Sequence, residues 1–129
     1  MGVDLTLYPD RFSSRSDPTD PQSLYYWHLA SDHLSLDRDY SLFDWIRKQP
    51  CTLVAPAVRV QHYTDDGLET ITTDAYGAPL TYLEPQHFAK MATRIRIRET
   101  CEASTGWNRA VLQLCAALDP HTRIILYWH

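Results

Sequence analysis

The stretch Trp107-Asn108-Arg109-Ala110-Val111-Leu112-Gln113-Leu114-Cys115-Ala116-Ala117-Leu118-Asp119-Pro120-His121-Thr122-Arg123-Ile124-Ile125-Leu126-Tyr127-Trp128 changes its apolar period once. In its first half Trp107, Val111, Leu114, Cys115 and Leu118 recur at i, i+4, i+7, i+8 and i+11. That spacing predicts an amphipathic helix with these five residues on its core face, capped by Ser104 or Thr105 and ended by Asp119-Pro120. From Arg123 to Trp128 the chain is almost continuously apolar, β-branched and aromatic. Such a run suits a strand covered on both faces, and it is predicted to be the centre of a sheet.

Upstream of this pair, Glu84-Pro85 opens a second helix, with Pro85 at the first helical position, where its missing N–H costs nothing. Phe88, Met91, Ala92 and Ile95 keep the helical period, but Ile97 lies about 180° round from Phe88, so this helix either ends near Arg98 or is sandwiched there. A strand over Leu80–Leu83 precedes it. Residues 52–63 predict one or two strands interrupted by Pro56, and Asp65-Asp66-Gly67 offers a hairpin turn into 68–73. Residues 37–48 predict a short helix: Asp37 or Asp39 caps it, Leu42, Phe43 and Ile46 form its apolar stripe, and Arg47 and Lys48 complement its C-terminal end.

Nearer the start, His33–Leu36 alternates as a strand, and Leu24–Leu29 is aromatic and strand-like, although Asp20-Pro21 would equally start a short helix. Val3–Tyr8 alternates with period two, placing Val3, Leu5 and Leu7 on one face, and Pro9 is expected to end the strand. Residues 10–23, rich in Ser, Asp and Pro, predict an exposed, mobile loop. The whole is expected to be a single α+β domain over 1–129, with a mixed or antiparallel sheet containing the N- and C-terminal strands and about three helices packed against it.

At 129 residues the chain has room for a real core but not for a second domain. A net charge of -4 argues against a dedicated nucleic-acid binder, whose phosphate contacts demand a basic surface. No apolar run approaches the roughly 18 residues of a membrane span and no export leader is evident, so no membrane partner and a cytoplasmic location are expected. Cys51, Cys101 and Cys115 are odd in number and none stands at metal-binding spacing from another, which predicts reduced, structural thiols.

Catalytic and cofactor signals are sparse. Four glycines leave little from which to build a phosphate-cradling loop or dinucleotide fingerprint, and no nucleophile elbow is present. Asp37, Asp39 and Asp44 are concentrated enough for acid–base work, yet caps and dipole partners explain them better. Trp27-His28-Leu29-Ala30-Ser31-Asp32-His33 is the densest group of potential metal ligands, although its spacing matches no zinc motif. No cofactor is expected.

The sharpest charge feature is Lys90, Arg94 and Arg98 on one helical face, with Arg96 beside them. This row could grip phosphates or an acidic partner surface; a solvated face with an Arg98–Glu102 pair is the plainer explanation. In a strand at 24–29, Tyr26 lies on one face and Tyr25 and Trp27 on the other, so an exposed ring there could anchor an interface, or both faces could pack into a core.

Four segments resemble a family of small, uncharacterised bacteriophage and prophage proteins: Met1-Gly2-Val3-Asp4-Leu5, Arg38-Asp39-Tyr40-Ser41-Leu42-Phe43, Leu80-Thr81-Tyr82-Leu83-Glu84, and Arg123-Ile124-Ile125-Leu126-Tyr127-Trp128. The match covers about twenty scattered positions. Ala78-Pro79 stands where the family has Ser-Trp, and the family's upstream His-Ser pair is absent. The resemblance implies a phage or prophage origin. By analogy with small phage proteins that redirect host proteins, including defence nucleases, it also implies a binding role.

The function expected is therefore a non-enzymatic phage or mobile-element accessory protein that binds, and could inhibit, a host protein or protein–nucleic acid complex. Lys90, Arg94, Arg98, Tyr25 and Trp27 are the expected contacts. The alternatives are a small metal-dependent hydrolase or nuclease using His28, Asp32 and His33, and a homodimeric or larger assembly protein built on exposed aromatics.

Overall fold

The computed structural model describes residues 2–12, 26–28, 33–53, 60–64, 67–99 and 105–129, and for 10–12, 26–28, 60–64, 67–70 and 96–99 only the backbone. Eleven elements follow in order: β1 (Leu5–Phe12), β2 (Tyr26–His28), β3 (Leu34–Ser35), α1 (Tyr40–Arg47), β4 (Thr52–Leu53), β5 (Val60–Thr64), β6 (Gly67–Ile71), β7 (Thr81–Leu83), α2 (Pro85–Glu99), α3 (Trp107–Ala117) and β8 (Arg123–Trp128). The main sheet runs β2-β1-β8-β7-β4, with β3 also against β1, and β5-β6 form a separate hairpin. Every strand pairing among the described residues is antiparallel. The α+β single domain expected from the sequence is the fold observed.

β8 lies at the middle of this order, between β1 and β7. Ile124 and Leu126 point into the core beneath the helices, together with Leu5 and Leu7 of β1, Phe43 and Ile46 of α1, Phe88 and Ile95 of α2, and Val111 and Leu112 of α3. Ile125 points the opposite way and is buried with Leu80 under Tyr8, Ile71, Tyr82 and Tyr127. Both faces of the strand are therefore covered, which is why its sequence shows no polar alternation. Each fully buried Leu or Ile contributes about 1.5–3 kcal/mol.

β1 does not stop at Pro9. Asp4 and His129 exchange backbone hydrogen bonds at 2.7 and 2.9 Å, so by alternation Leu5, Leu7 and Pro9 turn their backbone groups away from β8. The Leu5 carbonyl accordingly accepts the Leu36 N–H at 3.1 Å. On that side β3 pairs with β1 as far as Leu7, and β2 begins at Asp10. Pro9 occupies the gap, where its missing donor removes no ladder bond. The strand thus takes in Asp10–Phe12, the beginning of the stretch read as a loop, and residues 13–23 lie outside the described residues.

Of the two capping candidates for α1, Asp39 is the cap: its carboxylate accepts the Leu42 N–H at 3.1 Å. α2 begins at Pro85 as expected, and the Glu84 N–H donates to His87 Nδ1 at 3.1 Å, closing the helix start from both sides. α3 departs from the sequence reading. Its N-cap position is Gly106 in the left-handed region (φ 76°), while Thr105, one residue further out, accepts the Trp107 N–H on Oγ1 at 3.3 Å; Ser104 lies outside the described residues, and the buried residues of the helix are Asn108, Val111, Leu112 and Cys115. Trp107 and Leu114, assigned to the core face, are exposed. The set 108, 111, 112, 115 has the i, i+3, i+4, i+7 spacing of an ordinary helix stripe, but Asn108 hides it because a polar residue reads as surface. Asn108 is buried because its amide spans α3 and the lead-in to α1, with Oδ1 accepting the Asp37 N–H at 2.7 Å and Nδ2 donating to the Asp37 carbonyl at 3.0 Å.

Candidate partner-binding face

With Phe88, Met91, Ala92 and Ile95 of α2 in the core, Lys90 and Arg94 are carried to the outer side of the helix, and both are exposed. Arg98 follows on the same helical row, and of it only the backbone is described. Arg94 is not a loose charge: its Cζ sits 3.9 Å from the ring centroid of Trp45, a half-buried residue of α1. A second stack lies two residues further along α1, where Arg47 Cζ is 4.1 Å from the centroid of Trp128 and Trp128 in turn meets Phe43 edge-on at 5.5 Å. Exposed cation–π pairs contribute about 0.5–1 kcal/mol each. More usefully, they hold a guanidinium in place while its N–H groups remain available to an oxyanion. Trp45 was not singled out from the sequence, where it reads as one more residue of an amphipathic helix.

The other sequence candidates are dispersed. Trp27 belongs to β2, opposite Arg11, at one edge of the sheet, and Tyr25 lies outside the described residues. Of the metal-ligand group, His28 is in β2 with only its backbone described, Asp32 lies outside the described residues, and His33 is exposed with its ring 5.9 Å from that of Tyr8. Among the described residues no three His, Cys, Asp or Glu side chains are grouped to hold an ion. The three aspartates have separate duties: Asp39 caps α1, Asp44 is 3.7 Å from Arg47, and Asp37 is gripped through its backbone by Asn108.

Cys51 and Cys115 are free thiols. Burial raises both, and Cys115 is pushed up to about 12, so neither is a ready nucleophile at neutral pH. Cys101 lies outside the described residues.

A polar cluster not foreseen from the sequence sits where β1, β3 and β8 meet. Arg38 donates through Nε and Nη2 to the two carboxylate oxygens of Asp4 at 3.1 and 2.8 Å. That hydrogen bond holds the Asp4 carboxyl below its ordinary value. Gly2 lies beneath the same guanidinium, where a Cβ would collide with it. Beside this fork, Thr6 Oγ1 is 2.8 Å from His129 Nε2 and 3.2 Å from Ser35 Oγ. The opening residues, the α1 start, the 80–84 step and the closing strand therefore all touch: Asp4 meets Arg38, Phe43 meets Trp128, and β7 pairs with β8.

α2 and α3 enclose a shallow groove of about 370 Å³, lined by Ala89, Ala92, Thr93, Gln113, Ala116 and Ala117, all uncharged. No helix of the described residues is long and apolar enough to cross a membrane. No protein-family model, curated protein or solved structure matches this chain.

Proposed function

We propose that the chain is a non-enzymatic accessory protein of a phage or mobile element, working in the bacterial host cytoplasm by binding, and inhibiting, a host macromolecule. The contact is the outer face of α2, with Lys90, Arg94 and Arg98 meeting an acidic surface on a host protein or protein–nucleic acid complex. One observation supports this above the rest: in a chain of net charge -4, an exposed arginine on a basic row is held in position over an indole at 3.9 Å. Concentrating cations on one face of an acidic protein steers complementary partners and repels like-charged ones. Trp27, on the sheet edge, and Tyr25 extend the proposed contact set.

The test is affinity capture from host lysate with the tagged full chain, comparing the wild type with a K90E/R94E/R98E variant over a salt series. Wild type should retain a partner whose binding weakens with salt, and the variant should lose at least ten-fold of it. A variant that captures the same partner undiminished, or a wild type that captures none, overturns the proposal. Because Arg94 rests on Trp45, an R94K variant, which keeps the charge but loses the planar stack, and a thermal melt of each variant separate loss of charge from loss of stability.

A further inference from the structure

β1, β3 and the residue after β8 place two hydroxyls and an imidazole in a line. Thr6 and Ser35 stand directly opposite in the β1–β3 pairing, so their side chains share one face of the sheet. Ser35 Oγ is 3.2 Å from Thr6 Oγ1, which is 2.8 Å from His129 Nε2. The three differ in access: Thr6 is 4% exposed, whereas Ser35 and His129 are open to solvent. Both ends of the line are held. The Ser35 carbonyl accepts the Trp107 Nε1–H at 2.7 Å. His129 exchanges backbone hydrogen bonds with Asp4 at 2.7 and 2.9 Å, and its ring lies against that of Tyr127 at 5.8 Å.

We propose that Ser35 is an acylation site, whose hydroxyl attacks small activated esters or thioesters with Thr6 relaying its proton to His129. A hydroxyl becomes a useful nucleophile when a base lies within hydrogen-bond reach and a third group orients that base. Here the base is the imidazole, oriented by Asp4 and Tyr127, and a second hydroxyl bridges it to the nucleophile. Thr6 is too buried to meet a reagent itself, so it is a positioning residue and Ser35 is the group that reacts. As the bond from Ser35 Oγ to the acyl carbon forms, the Ser35 proton passes to Thr6 Oγ1 and the Thr6 proton to His129 Nε2. The bond to the departing alcohol or thiol then breaks, and the imidazolium gives that proton to the leaving group, so protons and electrons balance. The 3.2 Å step is the longer of the two, as such contacts are before a substrate tightens them. The product is a Ser35 ester, a modified protein, and the reaction draws nothing from the basic row on α2.

Incubation of the full chain with p-nitrophenyl acetate, followed by timed peptide mapping by mass spectrometry, tests it. Help from a general base is worth about 10²–10⁴-fold in rate, so Ser35 should gain its acetyl group at least about ten-fold faster than Ser41, which is exposed on α1. Thr6→Val, which keeps the shape but removes the relay, and His129→Gln should each slow acetylation of Ser35 by about ten-fold or more and leave that of Ser41 unchanged. Thr6→Ser, which returns a hydroxyl, should restore the rate, an outcome that a merely structural role for Thr6 does not produce. His129→Gln alters an exposed side chain, so it keeps the test decisive even where T6V fails to fold. A wild-type Ser35 acetylated no faster than Ser41 overturns the proposal, as does a folded T6V or H129Q protein that is acetylated at Ser35 like wild type.

Discussion

Replacing Asn108 with alanine removes the side chain that ties α3 to the entrance of α1. Asn108 is 8% exposed and makes two hydrogen bonds to one residue, accepting from the Asp37 N–H at 2.7 Å and donating to its carbonyl at 3.0 Å. Each bond contributes about 1 kcal/mol net, and Asp37 is exposed enough for water to re-satisfy its backbone, so the expected loss is about 2 kcal/mol rather than a full desolvation penalty. For a domain of this size that corresponds to a fall in Tm of about 6–10 °C. Urea and thermal unfolding followed by circular dichroism measure it directly. Asn108→Asp adds a discriminating comparison: it keeps an acceptor for the Asp37 N–H but loses the donor and buries a charge, so at neutral pH it should destabilise at least as much as alanine. A drop of less than about 2 °C for N108A, or an N108D protein as stable as wild type, would refute the view that this amide is a structural clamp.

Two further outcomes follow from the ionisable groups. Asp4 has its folded-state pKa lowered by Arg38, so its contribution is present above the unfolded value of about 4 and is lost as pH falls through the folded value. The Tm difference between wild type and Asp4→Asn should therefore be largest near neutrality and shrink below about pH 4; a difference independent of pH contradicts it. Cys115 is raised to about 12 by burial, so the folded state retains a proton that the unfolded chain releases, and stability should fall above about pH 9 by up to ~1.4 kcal/mol per pH unit. Cys115→Ala, although less stable overall, should lack that share of the alkaline slope in urea titrations, and parallel slopes would rule the assignment out.

The parts of the fold legible in sequence are those where one local signal outweighs its competitors. Arg123–Trp128 has no polar alternation and is the sheet centre; Asp39 and Pro85 sit at helix starts for reasons confined to a few residues. The misreadings arise where tertiary context decides. Pro9 lies inside a strand because neighbouring strands leave a gap beside it, a fact set by β2 and β3 rather than by residues 8–10. The face of α3 was turned by counting Trp107 and Leu114 as core and passing over Asn108, whose burial depends on a backbone partner 71 residues away. On the candidate face, the outward placement of Lys90 and Arg94 follows from the apolar period of their own helix. The indole beneath Arg94 comes from α1, and its proximity could not be read from either segment alone.

The place of β8 carries a cost during synthesis. β1 finds its long partner only when residues 123–128 exist, so Leu5 and Leu7 emerge more than a hundred positions before the strand that will shield them. Until then the newborn polypeptide carries an unzipped, greasy ribbon, and closing so wide a loop is slow compared with winding the helices. Cells making this protein should lean on holding chaperones, and premature stop codons even close to the end should yield insoluble material rather than a shortened working molecule.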